Sequence, residues 1–300
     1  MPGEVTREAP GLGRYPVLTH PDRVLYHEQG LTKQDLARYY ERIAPFMLPH
    51  VAGRPLALVR CPGGQSGSCF YQKHLAGKFP EALHRVSIRQ SDGIRPYAVV
   101  EDLAGLLALV QMGVLELHVW GARADRVEAP DRLVFDLDPG SGVAWAALCD
   151  GAEAVRQLLA GAGLQSWVKT TGGKGIHIVA PIERRASWTE LAGFARATAR
   201  ALEQHDPDRY VSRAAKTARP GRIYVDWLRN TRGATAVAVW STRARQGAAV
   251  SLPCDWSALR GLGSAASLTV AAVLADGVPY RHDPWSPMLS VRQRLRFRNR

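Results

Sequence analysis

The sequence predicts an α+β fold, and three observations predict it. The second half alternates strand and helix patterns in the order β-α-β-β-α-β. The first half carries a helix with one apolar face and short strands punctuated by Gly/Ser-rich turns. The 300 residues suffice to bury a sizeable core in one large domain or two small ones.

Residues 1 to about 20 read as an irregular lead-in. Thr32 stands where a helix to about residue 48 needs an N-cap, and Leu36, Tyr39, Tyr40, Ile43 and Met47 fall on one face of it. Residues 55–60 read as a strand, 62–68 as a Gly/Ser-rich loop and 103–112 as a buried helix. Residues 115–120 alternate as a strand with Glu116, His118 and Trp120 on one face. A second block begins near Asp131. Residues 133–138 form a strand ending at Pro139-Gly140, and 143–159 a helix. Two short strands flank a glycine turn at 172–175, and 187–204 form another helix. Residues 223–228 form a strand, 230–233 a turn and 234–240 a further strand. That order predicts a split β-α-β, RRM-like antiparallel or mixed sheet backed by helices. An N-terminal α/β module, about residues 15–125, is expected to pack on this second module, about 126–290, within one domain of 300 residues. No internal repeat occurs.

Composition narrows the partners. Lys plus Arg number 39 against 27 Asp plus Glu, a net charge of +12, and only six of the 39 cations are lysine. Arginine suits bidentate phosphate recognition, which fits a nucleic-acid partner; a GC-rich coding bias would give the same excess. No apolar run is long enough to span a membrane, and residues 1–10 carry charges and two prolines where a signal peptide needs an apolar core. A cytoplasmic protein is expected. Cys61, Cys69, Cys149 and Cys254 form no Cys-x-x-Cys pair, so neither a zinc cluster nor a disulfide framework is expected.

Two motifs carry chemistry. Asp136 and Asp138 sit two apart late in an apolar strand, so both carboxylates point to one face. Adjacent carboxylates repel unless a cation lies between them, and hard divalent cations take oxygen ligands. Asp226 ends another apolar strand, and two such strands could converge on a pair of metals. Asp-Pro-Gly is also a common turn, and acids often end strands. The second motif is Lys169-Thr170-Thr171-Gly172-Gly173-Lys174-Gly175-Ile176-His177. Its glycines would let backbone N–H groups approach an anion, while Lys174, Thr171 and His177 add donors. It is not a Walker A loop, because Gly175 follows Lys174, and a flexible surface hairpin would read the same way.

Taken in order, Asp136-Leu137-Asp138, then Thr171 to His177, then Asp226 resemble the motifs of the archaeo-eukaryotic primase superfamily. The sequence is more closely similar to the polymerase domain of bacterial ATP-dependent DNA ligase D, of non-homologous end joining. The likeness runs from about Thr19 to Trp285. It includes the segments 19–25, 70–74, 117–120 and 250–253.

The resemblance implies a primase-polymerase fold and template-dependent addition of nucleotides, ribonucleotides included, to 3′ ends at gaps and breaks. Asp136, Asp138 and Asp226 would hold two manganese or magnesium ions. Phe70 would stack on the nucleotide or template base. His118, Thr171, Lys174, His177, Arg243 and Arg245 would hold the triphosphate. Arg23 and Lys33 would bind a 5′-phosphate of gapped or broken duplex DNA, with Lys33 in the first turn of a helix whose free N–H groups add to the anion site. A fused or partnering ligase domain, an end-binding protein and a nucleoid-associated location in a bacterium are implied as well.

The chain departs from the family at Thr171, where Ser is common, and at Tyr71, where a second Phe is usual. Trp240-Ser241-Thr242-Arg243 stands for an aromatic-Ser-x-Arg segment. A metal-dependent nuclease could use the same three acids but needs no triphosphate cradle. A non-catalytic RRM-like module would show aromatics where the acids stand. No Lys-x-Asp-Gly segment marks a ligase domain.

Overall fold

The computed structural model describes residues 18–75, 77 and 79–296. Most of the expected lead-in, and the last two arginines, Arg298 and Arg300, lie outside the described residues.

Strand β1 (Val24–Tyr26) pairs with β2 (Leu31–Thr32), and helix α1 (Lys33–Val51) follows at once. Thr32 is its N-cap: the hydroxyl accepts from the Asp35 N–H, and the Asp35 carboxylate accepts from the Thr32 N–H. This capping box fixes the helix start within the chain's own atoms. All five residues of the predicted apolar face are buried.

The first sheet is built from β3 (Leu56–Arg60), β4 (Phe70–Gln72), β5 (His84–Gln90), β6 (Gly93–Val99) and, after helix α2 (Leu103–Gln111), β7 (Val114–Trp120). The β5–β6 hairpin is absent from the sequence reading, although Ser91-Asp92-Gly93 is turn chemistry and Gly93 takes φ +122°. Cys61 and Cys69 form a disulfide, with Cα atoms 4.3 Å apart, which corrects the expectation of none. The reason is pairing rather than spacing: Arg60 lies opposite Phe70, so the cysteines just beyond them meet across the loop.

The second sheet starts with β8 (Arg132–Pro139), followed by α3 (Trp145–Gly161), β9 (Trp167–Thr170), β10 (Ile176–Pro181), α4 (Trp188–His205), β11 (Tyr210–Val211) and β12 (Ile223–Asp226). The chain then gives β13 (Thr235–Val237), β14 (Pro253–Cys254) and α5 (Val270–Asp276). The strand order is β11-β12-β8-β10-β9-β14, antiparallel except for the β11–β12 pair. The α+β class with a mixed sheet is thus as predicted. Leu133, Phe135 and Leu137 of β8 join Ile176 and Ile178 of β10 against α3 and α4 in one apolar core. Strand alternation turns Arg132, Val134, Asp136 and Asp138 to the other face.

The predicted strand at 234–240 is regular only at β13, which pairs with β7, Val237 opposite His118. Beyond it, Ala238, Val239, Trp240, Val250, Leu252 and Trp285 enter the core beneath the first sheet. The first sheet therefore reads β13-β7-β3-β6-β5, with β4 alongside β3. The predicted strand at 223–228 stops at Asp226, where a 3₁₀ turn, Leu228–Asn230, begins. Asn230 pins that turn to β8 by accepting from the Val134 N–H and donating to the Val134 carbonyl.

Candidate active site

Strand register assembles the site. Asp226 lies opposite Asp136, Asp136 opposite His177, and His177 opposite Lys169. Directly opposed residues share a face, so β12, β8, β10 and β9 set these four side chains in one row. Asp138 stands one step beyond Asp136 on the same face, opposite Tyr224. Asp136, Asp226, His177 and Lys169 are all buried.

The glycine turn frames this row. Gly172 takes φ +67°, and a Cβ there would come within 2.8 Å of Arg243. A Cβ on Gly175 would lie 2.7 Å from the Leu137 carbonyl and 3.4 Å from Oδ1 of both Asp136 and Asp138. Only glycine lets the turn approach the acids so closely. Gly140 does the same on the other side, where a Cβ would fall 1.8 Å from the Arg219 carbonyl.

The Thr171 hydroxyl is consumed in holding this turn. It accepts from the Gly173 and Gly175 N–H groups and donates to the Gly175 carbonyl. Lys174 and Arg245 are exposed at the rim of a cleft of about 540 Å³. His118, Asp136, Asp138, His177, Lys216, Arg219, Arg229 and Arg243 line the same cleft.

Electrostatics separates the acids. Burial works against the Asp136 charge, but His177, Arg229 and Lys169 hold its carboxyl well below the usual range. Burial, then repulsion from Asp136, pushes Asp138 up to about 6. Burial also raises Asp226. Burial and then Lys169 push His177 down to about 4, so at neutral pH it is an uncharged neighbour of Asp136. A second network lies beside the first. Glu116 accepts from the Ala244 N–H and sits 3.1 Å from Arg243 and 2.9 Å from His118. Burial opposes its charge, yet His118 and Arg243 hold it near 2.

Among the described residues, no three acidic, His or Cys side chains close on one point as they stand. Arg229 accounts for this, with its guanidinium 3.0 Å from Asp136 and 3.2 Å from Asp226. The donors that remain nevertheless suit a hard divalent cation. Asp136 Oδ1 is buried without a hydrogen-bond partner; His177 Nε2 is 3.2 Å away but poorly aligned. With Asp138 Oδ1 it borders the cradle kept open by Gly175.

The remaining predicted residues are spread more widely. Phe70, on β4, is 46% exposed, outside the cleft lining, with the Arg60 guanidinium 5.4 Å from its ring centre. Tyr71 comes nearer the cleft, edge-on to His118 and bonded to Thr235. Arg23 is exposed and donates to the Pro62 carbonyl. Lys33 is buried and donates to the Thr19 carbonyl and to Gln111. The expected free helix N–H groups are not free: Lys33 N–H donates to Arg23, Gln34 N–H to Pro21 and Asp35 N–H to Thr32. That part of the expected anion site is corrected, because the segment before the helix folds back and uses those donors itself.

The family model of the LigD primase-polymerase domain matches residues 32–285. The chain belongs to the LigD primase-polymerase domain family. It is therefore a nucleotidyltransferase of the polymerase type. It is 34% identical over 284 residues to the multifunctional non-homologous end joining protein LigD of Pseudomonas aeruginosa, covering 93% of this chain and 33% of that one. The namesake from Mycolicibacterium smegmatis is 36% identical over 241 residues, covering 80% of this chain and 32% of that one. The chain thus spans about a third of the length of these relatives. The polymerase domain of Mycobacterium tuberculosis ligase D, solved in complex with DNA, superposes with a TM-score of 0.83 at 34% identity, covering 92% of this chain and 98% of that one.

Sequence reasoning missed Arg229, Glu116 and Lys169 as site residues. Arg229 carried no signal, since only the turn after β12 swings it back onto the acids. Glu116 and Lys169 did carry one: each is a charged residue inside a largely buried strand.

Proposed function

We propose that this chain adds nucleotides to the 3′ ends of gapped or broken duplex DNA in bacterial end joining, by a two-metal mechanism. The observation that carries the reading is the row Asp226–Asp136–His177 beside the glycine turn, with Asp136 and His177 lining a cationic cleft. Asp136 and Asp138, then Asp226 once Arg229 releases it, would hold the cations. Manganese or magnesium, when bound, would lower the pKa of the primer hydroxyl and neutralise charge on the leaving pyrophosphate.

Lys174, Arg243 and Arg245 line one side of the cleft, where they would hold the triphosphate and balance its charge. His118, held by Glu116, would add a donor to the same triphosphate. Thr171 would act by shaping the turn, and uncharged His177 by orienting Asp136. Tyr71 and the more exposed Phe70 offer ring faces for stacking on a template or incoming base. Arg23, with Lys33 behind it, would meet a 5′-phosphate across the gap. The relatives' greater length and their description as multifunctional end-joining proteins support a ligase domain on the same polypeptide; an end-binding partner at the bacterial nucleoid belongs to the same proposal.

The test is extension of a labelled primer across a short gap, with ribo- or deoxyribonucleotides, in EDTA, Mg²⁺ or Mn²⁺. The reading expects extension only with metal. Hydrolysis of the primer in place of extension would favour a nuclease and overturn it.

A further inference from the structure

A second cationic cavity lies at the opposite end of β8 and β10 from the glycine turn. It measures about 840 Å³, and one wall is the start of β8. Arg132 and Asp136 are four residues apart on the same strand face, so the base of the cavity is roughly 13 Å along the strand from the acidic row.

Arg132 is the group that needs explaining. It is only 7% exposed and makes one side-chain hydrogen bond among the described residues, to the His50 carbonyl. A guanidinium has five N–H donors, and Arg132 lines this cavity. The nearby carboxylate is already taken: Asp131 accepts both arms of Arg54 at 2.7 Å and has Arg123 3.6 Å away. Burial and then the charge of Arg54 work against Arg132; Asp131 offsets them only in part, and among the described residues no carboxylate lies within ion-pair distance of it.

Arg184, opposite, binds Asp125 with both terminal nitrogens, while its Nε is buried without a partner. The rim adds Arg126, Arg185 and Arg292. The lining thus carries seven arginines against Asp131 and Glu183. A fold keeps such an excess around a buried, half-satisfied guanidinium at a cost that a bound multivalent anion would offset.

We propose that this cavity is a second anion site, distinct from the polymerase cleft, that takes a phosphate polyanion. Arg132 sits at its base, and the Arg126, Arg185 and Arg292 guanidinium groups close over the ligand. The lining holds no aromatic side chain, so the site recognises phosphate charge and not bases. Two sources share that chemistry, a free polyphosphate and the sugar-phosphate backbone of a nucleic acid.

The experiment titrates inorganic tripolyphosphate into the full chain by calorimetry, in EDTA at about 50 mM salt, where charge contacts are weakly screened. Wild type should show a binding step that Lys174→Ala leaves in place. The exposed-rim variant Arg126→Ala/Arg185→Ala/Arg292→Ala should weaken it about tenfold or more, each lost contact being charge-assisted, while gap filling persists. Arg132→Gln, checked for folding by circular dichroism, should weaken it as well. The proposal falls if the rim variant binds tripolyphosphate within about twofold of wild type, or if folded Arg132→Gln does. A thymidine dodecamer competing in the Lys174→Ala background separates the sources. Displacement of tripolyphosphate assigns the backbone, and persistence of the bound tripolyphosphate assigns the free anion; each sustains the site.

Discussion

Arg229 holds two of the three candidate metal ligands, so it and a divalent cation would compete for the same oxygens. Its charge offsets the repulsion between Asp136 and Asp226, a role that a bound cation would take over. Replacing it with Met should lower the melting temperature without metal by a few degrees, roughly what losing 1–2 kcal/mol does to a chain of this size. Added Mn²⁺ should then raise that temperature more in Arg229→Met than in wild type, because the cation repairs the larger defect. Equal rises, measured by differential scanning fluorimetry, would mean that the guanidinium and the metal do not share a site. The acids themselves were legible in the sequence, since period-two spacing fixes a shared face wherever a strand is regular. Arg229 was not, because its position depends on where β12 ends and on Asn230 bonding across to β8.

Among elements, β7 shows how one strand serves both core and site. Its outer residues Glu116 and His118 meet Arg243, which arrives from the segment after β13 and also donates to the Thr171 carbonyl. Glu116 is thus the join between first sheet and glycine turn. Its folded pKa, near 2, lies below the unfolded value, so its contribution is fully present above about pH 4.5 and is lost as pH falls towards 2. Glu116→Gln should therefore be less stable at pH 7 by roughly 2–4 kcal/mol, with the gap closing as the medium is acidified. Urea unfolding at several pH values would show it, and a gap constant with pH would contradict it. The helix starts at Thr32 and Ser187 were readable because each cap is local, a hydroxyl and a carboxylate three residues apart. The crossing of β13 to β7 was not, since an alternating run of residues does not name its partner strand.

At the scale of the molecule, the two sheets meet so that the cleft opens between the glycine turn and β7, with Arg23 and Lys33 on the N-terminal module. The ligand set of the second sheet was largely legible from three motifs. The outlying residues were placed by resemblance, and burial then divides them: Arg23 is exposed and spends one donor on the Pro62 carbonyl, while buried Lys33 spends two on Thr19 and Gln111. Arg23→Ala alone should abolish any preference for gapped DNA with a 5′-phosphate over a 5′-hydroxyl, about a tenfold change in affinity at fixed salt. Retention of the full preference by Arg23→Ala would remove this residue from end recognition.

If Asp136 and Asp138 act through metal ions on the nucleotide and not as DNA ligands, their loss must stop single-nucleotide extension and spare DNA binding. Asp136→Asn and Asp138→Asn keep the strand and most of the volume but remove the charge that a cation needs. Each should extend a gapped primer in Mn²⁺ at no more than about a hundredth of the wild-type rate, while DNA affinity stays within about threefold. Extension above about a tenth of wild type by either folded variant would contradict the account.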